Sequence, residues 1–260
     1  MVVRITSASD PRMAPYGDVG DPAALARAGL FVAEGRLVVR RLIEDARFQV
    51  HSALVTEGAV QALADLLASH AEIPVLVADR DVLNDVTGFN FHRGCLALAR
   101  RPSVLPPVET FAAARRLLAL ERVGNPDNVG GLFRVASALD AGGVLLDADT
   151  ADPLYRKAIR TSMGAALRIP FTRIANWPDA LTPLRAAGFR VIALTPAPDA
   201  ASIGEIPRAS RLVFLLGAEG EGLREETQRL ADLRVRIPVN PGADSLNVVV
   251  AAAIALHALR

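Results

Sequence analysis

The chain has 260 residues, 51% of them hydrophobic and 22% charged, with a formal net charge of +1. That supplies a sizeable core for one or two domains and argues against a disordered chain. A globally cationic nucleic-acid coat is excluded, so any contact with nucleic acid must come from local basic clusters. Lys157 is the only lysine, a bias that genomic base composition accounts for as well as a need for arginine forks does. Cys95 is the only cysteine, so an internal disulfide is excluded, and a reducing cytoplasm is the expected location.

Residues 1–22 read as irregular, without the apolar run of a secretory signal. Residues 33–46 have helical spacing, 50–56 read as strand, 58–70 as helix and 73–78 as strand. A short apolar run follows at 95–99. Together they form a small α/β module. The stretch Arg100-Arg101-Pro102-Ser103-Val104-Leu105-Pro106-Pro107 prevents helix and disfavours a central strand. It predicts an N-terminal domain over 1–101, a linker over 102–109 and a second domain over 110–260.

Beyond the linker the alternation strengthens. Residues 117–121, 144–147, 190–195, 212–217 and 235–239 are continuous apolar runs of strand length, which suits strands covered on both faces. Helical segments at 129–141, 153–161, 179–187 and 223–230 lie between them. The pattern predicts an α/β fold with an open, mostly parallel sheet. The most apolar stretch, 248–256, is about half the length of a membrane span. It reads as a buried helix, and no membrane association is expected.

Three segments carry candidate chemistry. The first, Asn125 to Arg134, follows a strand and opens a helix that Asp127 or Asn128 can cap. Val129, Leu132, Phe133, Ala136 and Leu139 share one face. Gly130, Arg134 and Ser137 share another, where exposed glycine backbone beside a guanidinium would suit a phosphate or ribose. Read alone, the segment is equally an Asn-Pro turn before a helix with a surface arginine.

The second, Gly217-Ala218-Glu219-Gly220-Glu221-Gly222, follows an apolar strand at the edge where open α/β sheets bind ligands. Its two carboxylates would repel a pyrophosphate, so NAD and ATP phosphate binding are rejected. A cationic or zwitterionic ligand suits it better, and an acidic glycine turn is the plainer alternative. In the third, Ile237 to Val248, a strand ends in a Pro/Gly loop. Ser245 can cap the last helix and Asn247 sits in its first turn. Plain capping accounts for this segment taken alone. The four histidines and one cysteine show no metal-ligand spacing, so no metal is expected.

Together the segments resemble the SpoU/TrmH branch of the SPOUT RNA methyltransferases. That branch carries N-x-x-N-x-G-x-x-x-R, G-x-E-G-x-G and I-P-x…S-L-N-V in this order. Ser162-Met163-Gly164-Ala165 resembles the S-x-G-A segment of the same family. More weakly, Phe31-Val32-Ala33-Glu34-Gly35 and Gly88-Phe89-Asn90-Phe91-His92-Arg93-Gly94 resemble its ribosomal-protein-like substrate-binding domain. His92 itself reads as a turn residue.

The resemblance implies a trefoil-knotted second domain, which periodicity could not have shown. It also implies a homodimer and methyl transfer from S-adenosylmethionine to a ribose 2′-hydroxyl. Structured RNA is the implied substrate, ribosomal RNA before transfer RNA. By the same implication Arg134, Asn128, Glu219, Ser245 and Asn247 are catalytic. Thr195, Gly217, Ile237 and Leu246 hold the cofactor through backbone groups. A guanidinium does not readily lose its proton, so Arg134 is expected to grip a phosphate and the developing oxyanion, not to act as base. A silent RNA-binding member of the family and a base-nitrogen methyltransferase are the alternatives.

Overall fold

The computed structural model describes residues 2–259 apart from Ala46, Phe89, Phe91, His92, Val104, Pro106, Pro107, Pro207, Arg208, Ala209, Pro241, Ala243 and Asp244. The turn reading of His92, and Val104, Pro106 and Pro107 of the expected linker, lie outside the described residues. The chain divides into two compact units, Met1–Ser103 with Leu154–Leu167, and Val104–Pro153 with Arg168–Arg260.

The first unit holds a five-stranded mixed sheet. Its strands are β1 (Val2–Arg4), β2 (Leu30–Glu34), β3 (Val50–Val55), β4 (Val75–Val77) and β5 (Cys95–Arg100), in the order β1-β4-β3-β5-β2. The pairs β1–β4 and β3–β4 run parallel, and β5 is antiparallel to both β3 and β2. The helix Arg36–Glu44 buries Val38, Val39, Leu42 and Ile43 on one face, the spacing of an amphipathic helix. The N-terminal residues are not irregular as expected. β1 completes the sheet, and Met13, Tyr16 and Val19 are buried in its core. Elements of three or four residues are too short to show a period, which hid them in the sequence.

The helix Arg156–Thr161 belongs to this unit and packs on β2. Arg156 Nη1 lies 3.5 Å from the buried Glu34 carboxylate, and Arg41 donates to the Met163 carbonyl.

The second unit holds seven strands: β6 (Arg116–Leu120), β7 (Gly143–Leu146), β8 (Phe171–Arg173), β9 (Arg190–Leu194), β10 (Ala201–Ser202), β11 (Leu212–Leu216) and β12 (Leu233–Arg236). Their order is β10-β12-β9-β11-β6-β7-β8, and every pairing is parallel. The expected parallel sheet is therefore present. Every residue of β7 and β11 is buried, as strands covered on both faces require. Each such leucine or phenylalanine contributes about 1.5–3 kcal/mol relative to exposure.

β12 begins and ends earlier than the expected 235–239, stopping at Arg236, two residues before Pro238, which has no N–H for a ladder. The helix Pro126–Ala138 and the last helix, Val248–Ala258, pack against each other.

Candidate active site

β6 delivers the first segment. Asn125 caps the helix Pro126–Ala138 by accepting from Asp127 N at 2.9 Å, with Pro126 preset at the first helical position. The cap is thus Asn125, not Asp127 or Asn128, because Pro126 fixes where the helix starts. Val129, Leu132, Phe133 and Ala136 are buried, as expected of the inward face. Phe133 meets Phe171 edge-on with ring centroids 5.8 Å apart. Gly130 is buried, so the expected open backbone beside Arg134 is not there. Packing of the helix closes that position, while the Arg134 side chain is exposed and makes no hydrogen bond or ion pair among the described residues.

β11 delivers the second. A Cβ on Gly217 would lie 2.2 Å from the Gly222 carbonyl carbon, so only glycine lets the loop double back there. Gly222 N donates to Ala218 O at 3.0 Å and closes the turn. Glu219 stands exposed in that loop and pairs with no cation among the described residues.

The third segment joins the other two. Asn247, not Ser245, caps the last helix: its Oδ1 accepts from Val249 N at 2.9 Å. The helix starts at Val248, which leaves Ser245 two residues before the cap. With Oδ1 committed, Asn247 Nδ2 must face the other way. It donates to Asn128 Oδ1 at 3.1 Å and to Glu219 Oε1 at 3.0 Å. This fixes the Asn128 amide too, because only its oxygen can accept from Asn247. Asn128 Nδ2 is consequently the free end, and it is buried without an acceptor among the described residues. A buried donor left open beside a carboxylate is a place for a ligand oxygen.

The structure thus brings Asn128, Glu219 and Asn247 together. Arg134 lies six residues along the same helix as Asn128, and Ser245 and Leu246 lead exposed into Asn247. Thr195, Gly217 and Ile237 follow the carboxyl ends of β9, β11 and β12, which are neighbours in the sheet. Thr195 N donates to Val235 O at 3.0 Å.

Sequence reasoning missed Glu121, Arg122 and Trp177. Glu121, fully buried at the end of β6, accepts from Trp177 Nε1 at 2.6 Å, from Arg224 N at 2.6 Å and from the Thr227 hydroxyl. A glutamate ending the apolar run LLALE was the available signal. Among the described residues there is no cluster of three or more metal-ligating side chains. No helix among them is long and apolar enough to cross a membrane.

The sequence profile of the SpoU rRNA methylase family matches residues 115–257, the stretch that carries all three segments. The chain belongs to the SpoU rRNA methylase family. Membership makes it an RNA methyltransferase. It is 40% identical over 255 residues to an uncharacterised tRNA/rRNA methyltransferase of Mycobacterium bovis, covering 95% of this chain and 88% of that one. It is also 35% identical over 195 residues to the 23S rRNA (guanosine-2′-O-)-methyltransferase RlmB of a Burkholderia species, covering 73% and 78%. Among solved structures, the AdoMet-bound rRNA methyltransferase of Sinorhizobium meliloti superposes with a TM-score of 0.85 at 27% identity, covering 100% and 97%. The likeness of this SpoU member to the Sinorhizobium structure therefore spans the whole chain and not only residues 115–257.

Proposed function

We propose that this chain transfers a methyl group from S-adenosylmethionine to a ribose 2′-hydroxyl of structured RNA, with ribosomal RNA as the substrate class. The observation that carries the reading is Asn247 bridging Asn128 and Glu219, which gathers three distant segments at one point. The name of the Burkholderia relative supports ribose as the target and ribosomal RNA as the substrate.

The residues present fit the cofactor. An exposed carboxylate without a cationic partner, Glu219, suits a sulfonium. The ends of β9, β11 and β12 offer backbone groups at Thr195, Gly217 and Ile237, with Leu246 nearby in sequence to Asn247. When bound, the cofactor supplies the methyl group.

This chain's residues do the rest. Arg134 grips the phosphate beside the target ribose and holds the 2′-oxygen as its proton passes to solvent water, remaining charged throughout. The open Asn128 Nδ2 donates to a ribose oxygen, and Asn247 keeps that amide turned correctly. Glu219 fixes Asn247 from the other side, and Ser245 assists at the rim. Alignment of the two reactants provides much of the rate.

The reading extends to the architecture. Residues 1–101 bind RNA as a ribosomal-protein-like domain, 102–109 link, and 110–260, less the segment Leu154–Leu167 that belongs to the first unit, form the knotted methyltransferase domain. The support for the knot is membership of the family whose resemblance implies it. A homodimer is supported by apolar side chains left exposed on the last helix and in the segment before it, Val250 at 45%, Leu246 at 37% and Val239 at 45%. The expected location is the cytoplasm.

The deciding experiment is site-resolved mapping of 2′-O-methylation in cells with and without the gene. Loss of a ribose mark in ribosomal RNA is expected. Loss only in transfer RNA would move the substrate, and loss of a base methyl would overturn ribose as the target. Failure to bind S-adenosylmethionine in calorimetry would mark a silent RNA-binding member.

A further inference from the structure

Glu121 and Arg122 leave the end of β6 just before the Asn125 cap and touch the Glu219 loop at three places. At its entry, Glu121 N donates to Leu216 O at 2.9 Å. At its far side, Arg122 pairs with Glu221 and donates from Nη2 to Gly222 O at 3.3 Å. At its exit, the Glu121 carboxylate takes Arg224 N at 2.6 Å. We propose that Arg122 is a positioning residue for methyl transfer, acting through Glu221 and Gly222 to set where Glu219 stands relative to Asn128. The inference rests on the methyltransferase reading above.

Two features single out Arg122. Its backbone is left-handed, with φ at 55°, a region that side chains other than glycine, asparagine and aspartate seldom enter. Such conformations persist where the surroundings impose them, and they concentrate at functional sites. Here the turn brings the guanidinium back over the loop. The fork then reaches a side chain and a backbone carbonyl at once, which a lysine ammonium matches poorly.

The loop has an internal bond of its own, Gly222 N to Ala218 O, so it can keep its turn without Arg122. What it would lose is the middle of its three ties to the end of β6, the strand from which Asn128 also issues, while the Glu121 ties at its entry and exit remain. Glu221 is 73% exposed and the Arg122 side chain 25%, so the pair contributes little to fold stability. Its consequence lies in placement. A loop free to shift takes Glu219 away from Asn247, and Asn247 then holds Asn128 less firmly.

The test compares wild type with Arg122→Ala by hydrogen exchange and by steady-state kinetics on ribosomal RNA extracted from cells lacking the gene. Amides of residues 218–222 should exchange about tenfold faster in the variant, with the rest of the second unit unchanged. kcat should fall about tenfold with KM for RNA and the melting temperature little changed. Arg122→Lys should lie between. Arg122→Ala combined with Glu221→Ala should cost no more than Arg122→Ala alone, because Glu221→Ala breaks a contact that Arg122→Ala already removes. Unchanged exchange at 218–222, or additive losses in the double variant, would overturn the proposal. So would a kcat loss that merely tracks loss of folded protein. If wild type itself transfers no methyl group, the reading of function fails, and the exchange comparison alone still decides whether Arg122 holds the loop.

Discussion

Asn247 Nδ2 donates to Asn128 Oδ1 at 3.1 Å, across 119 positions of sequence, and so leaves the buried Asn128 Nδ2 as an open donor. Asn128→Asp tests what that donor does. Aspartate still accepts from Asn247 but presents an acceptor where the donor was. Loss of one aimed donor costs roughly 10²–10³ in kcat where it stabilises a developing oxyanion. We expect that loss in single-turnover methylation, with a melting temperature close to wild type. Near-normal turnover would show that the ribose does not use this group.

Arg134→Ala should nearly abolish methyl transfer while S-adenosylmethionine affinity, measured by calorimetry, stays close to wild type. The side chain is exposed and pairs with nothing among the described residues, so its removal should not disturb the fold. Arg134→Lys keeps the charge but not the planar fork, and should recover only part of the activity. Full activity in the alanine variant would remove Arg134 from the centre of the mechanism.

The sheet of the second unit was legible because buried parallel strands are written as unbroken apolar runs, as in Leu212–Leu216. β8, Phe171–Arg173, was not, since three residues ending in arginine carry no run. The end of β2 is hidden because Ala33 and Glu34 fit the spacing of the helix that follows. The site residues were named from linked motifs, yet their geometry was hidden. No local pattern says that Asn247 reaches Glu219, or that Asn247 and not Ser245 is the cap, whereas Pro126 at the first helical position is a local sign for Asn125. Glu121 escaped because a carboxylate held by an indole, a backbone amide and a hydroxyl looks, in sequence, like the polar end of a strand.

Gly131 sets how closely the helices Pro126–Ala138 and Val248–Ala258 approach. A Cβ there would lie 2.7 Å from Val249 Cγ2, two residues beyond Asn247. Gly131→Ala should therefore push the last helix outward, at about 1–3 kcal/mol of overpacking. Because Asn247 caps that helix, the same shift should lengthen its bond to Asn128 and lower kcat. Adding Val249→Ala opens the space and should restore both stability and turnover. Denaturant melts and initial rates on the single and double variants check this. A double variant no better than Gly131→Ala would mean that the contact is not what places Asn247.

Acid should weaken the first unit in a defined window. Arg40 donates to Asp65 at 2.9 and 3.0 Å, and this hydrogen bonding lowers the Asp65 carboxyl from its ordinary 3.8 to about 2. A carboxyl whose folded value is depressed contributes stability that is fully present above its unfolded value. That contribution is lost as pH falls through the folded one. Wild type should thus melt above Asp65→Asn at pH 7, with the gap closing as pH drops from 3.8 to about 2. Both side chains reach solvent, 31% and 71%, so the gap should be small and should shrink further in salt. Thermal melts of the two proteins across that range decide it. A gap that stays constant or widens on acidification would show that Asp65 acts through packing and not through its charge.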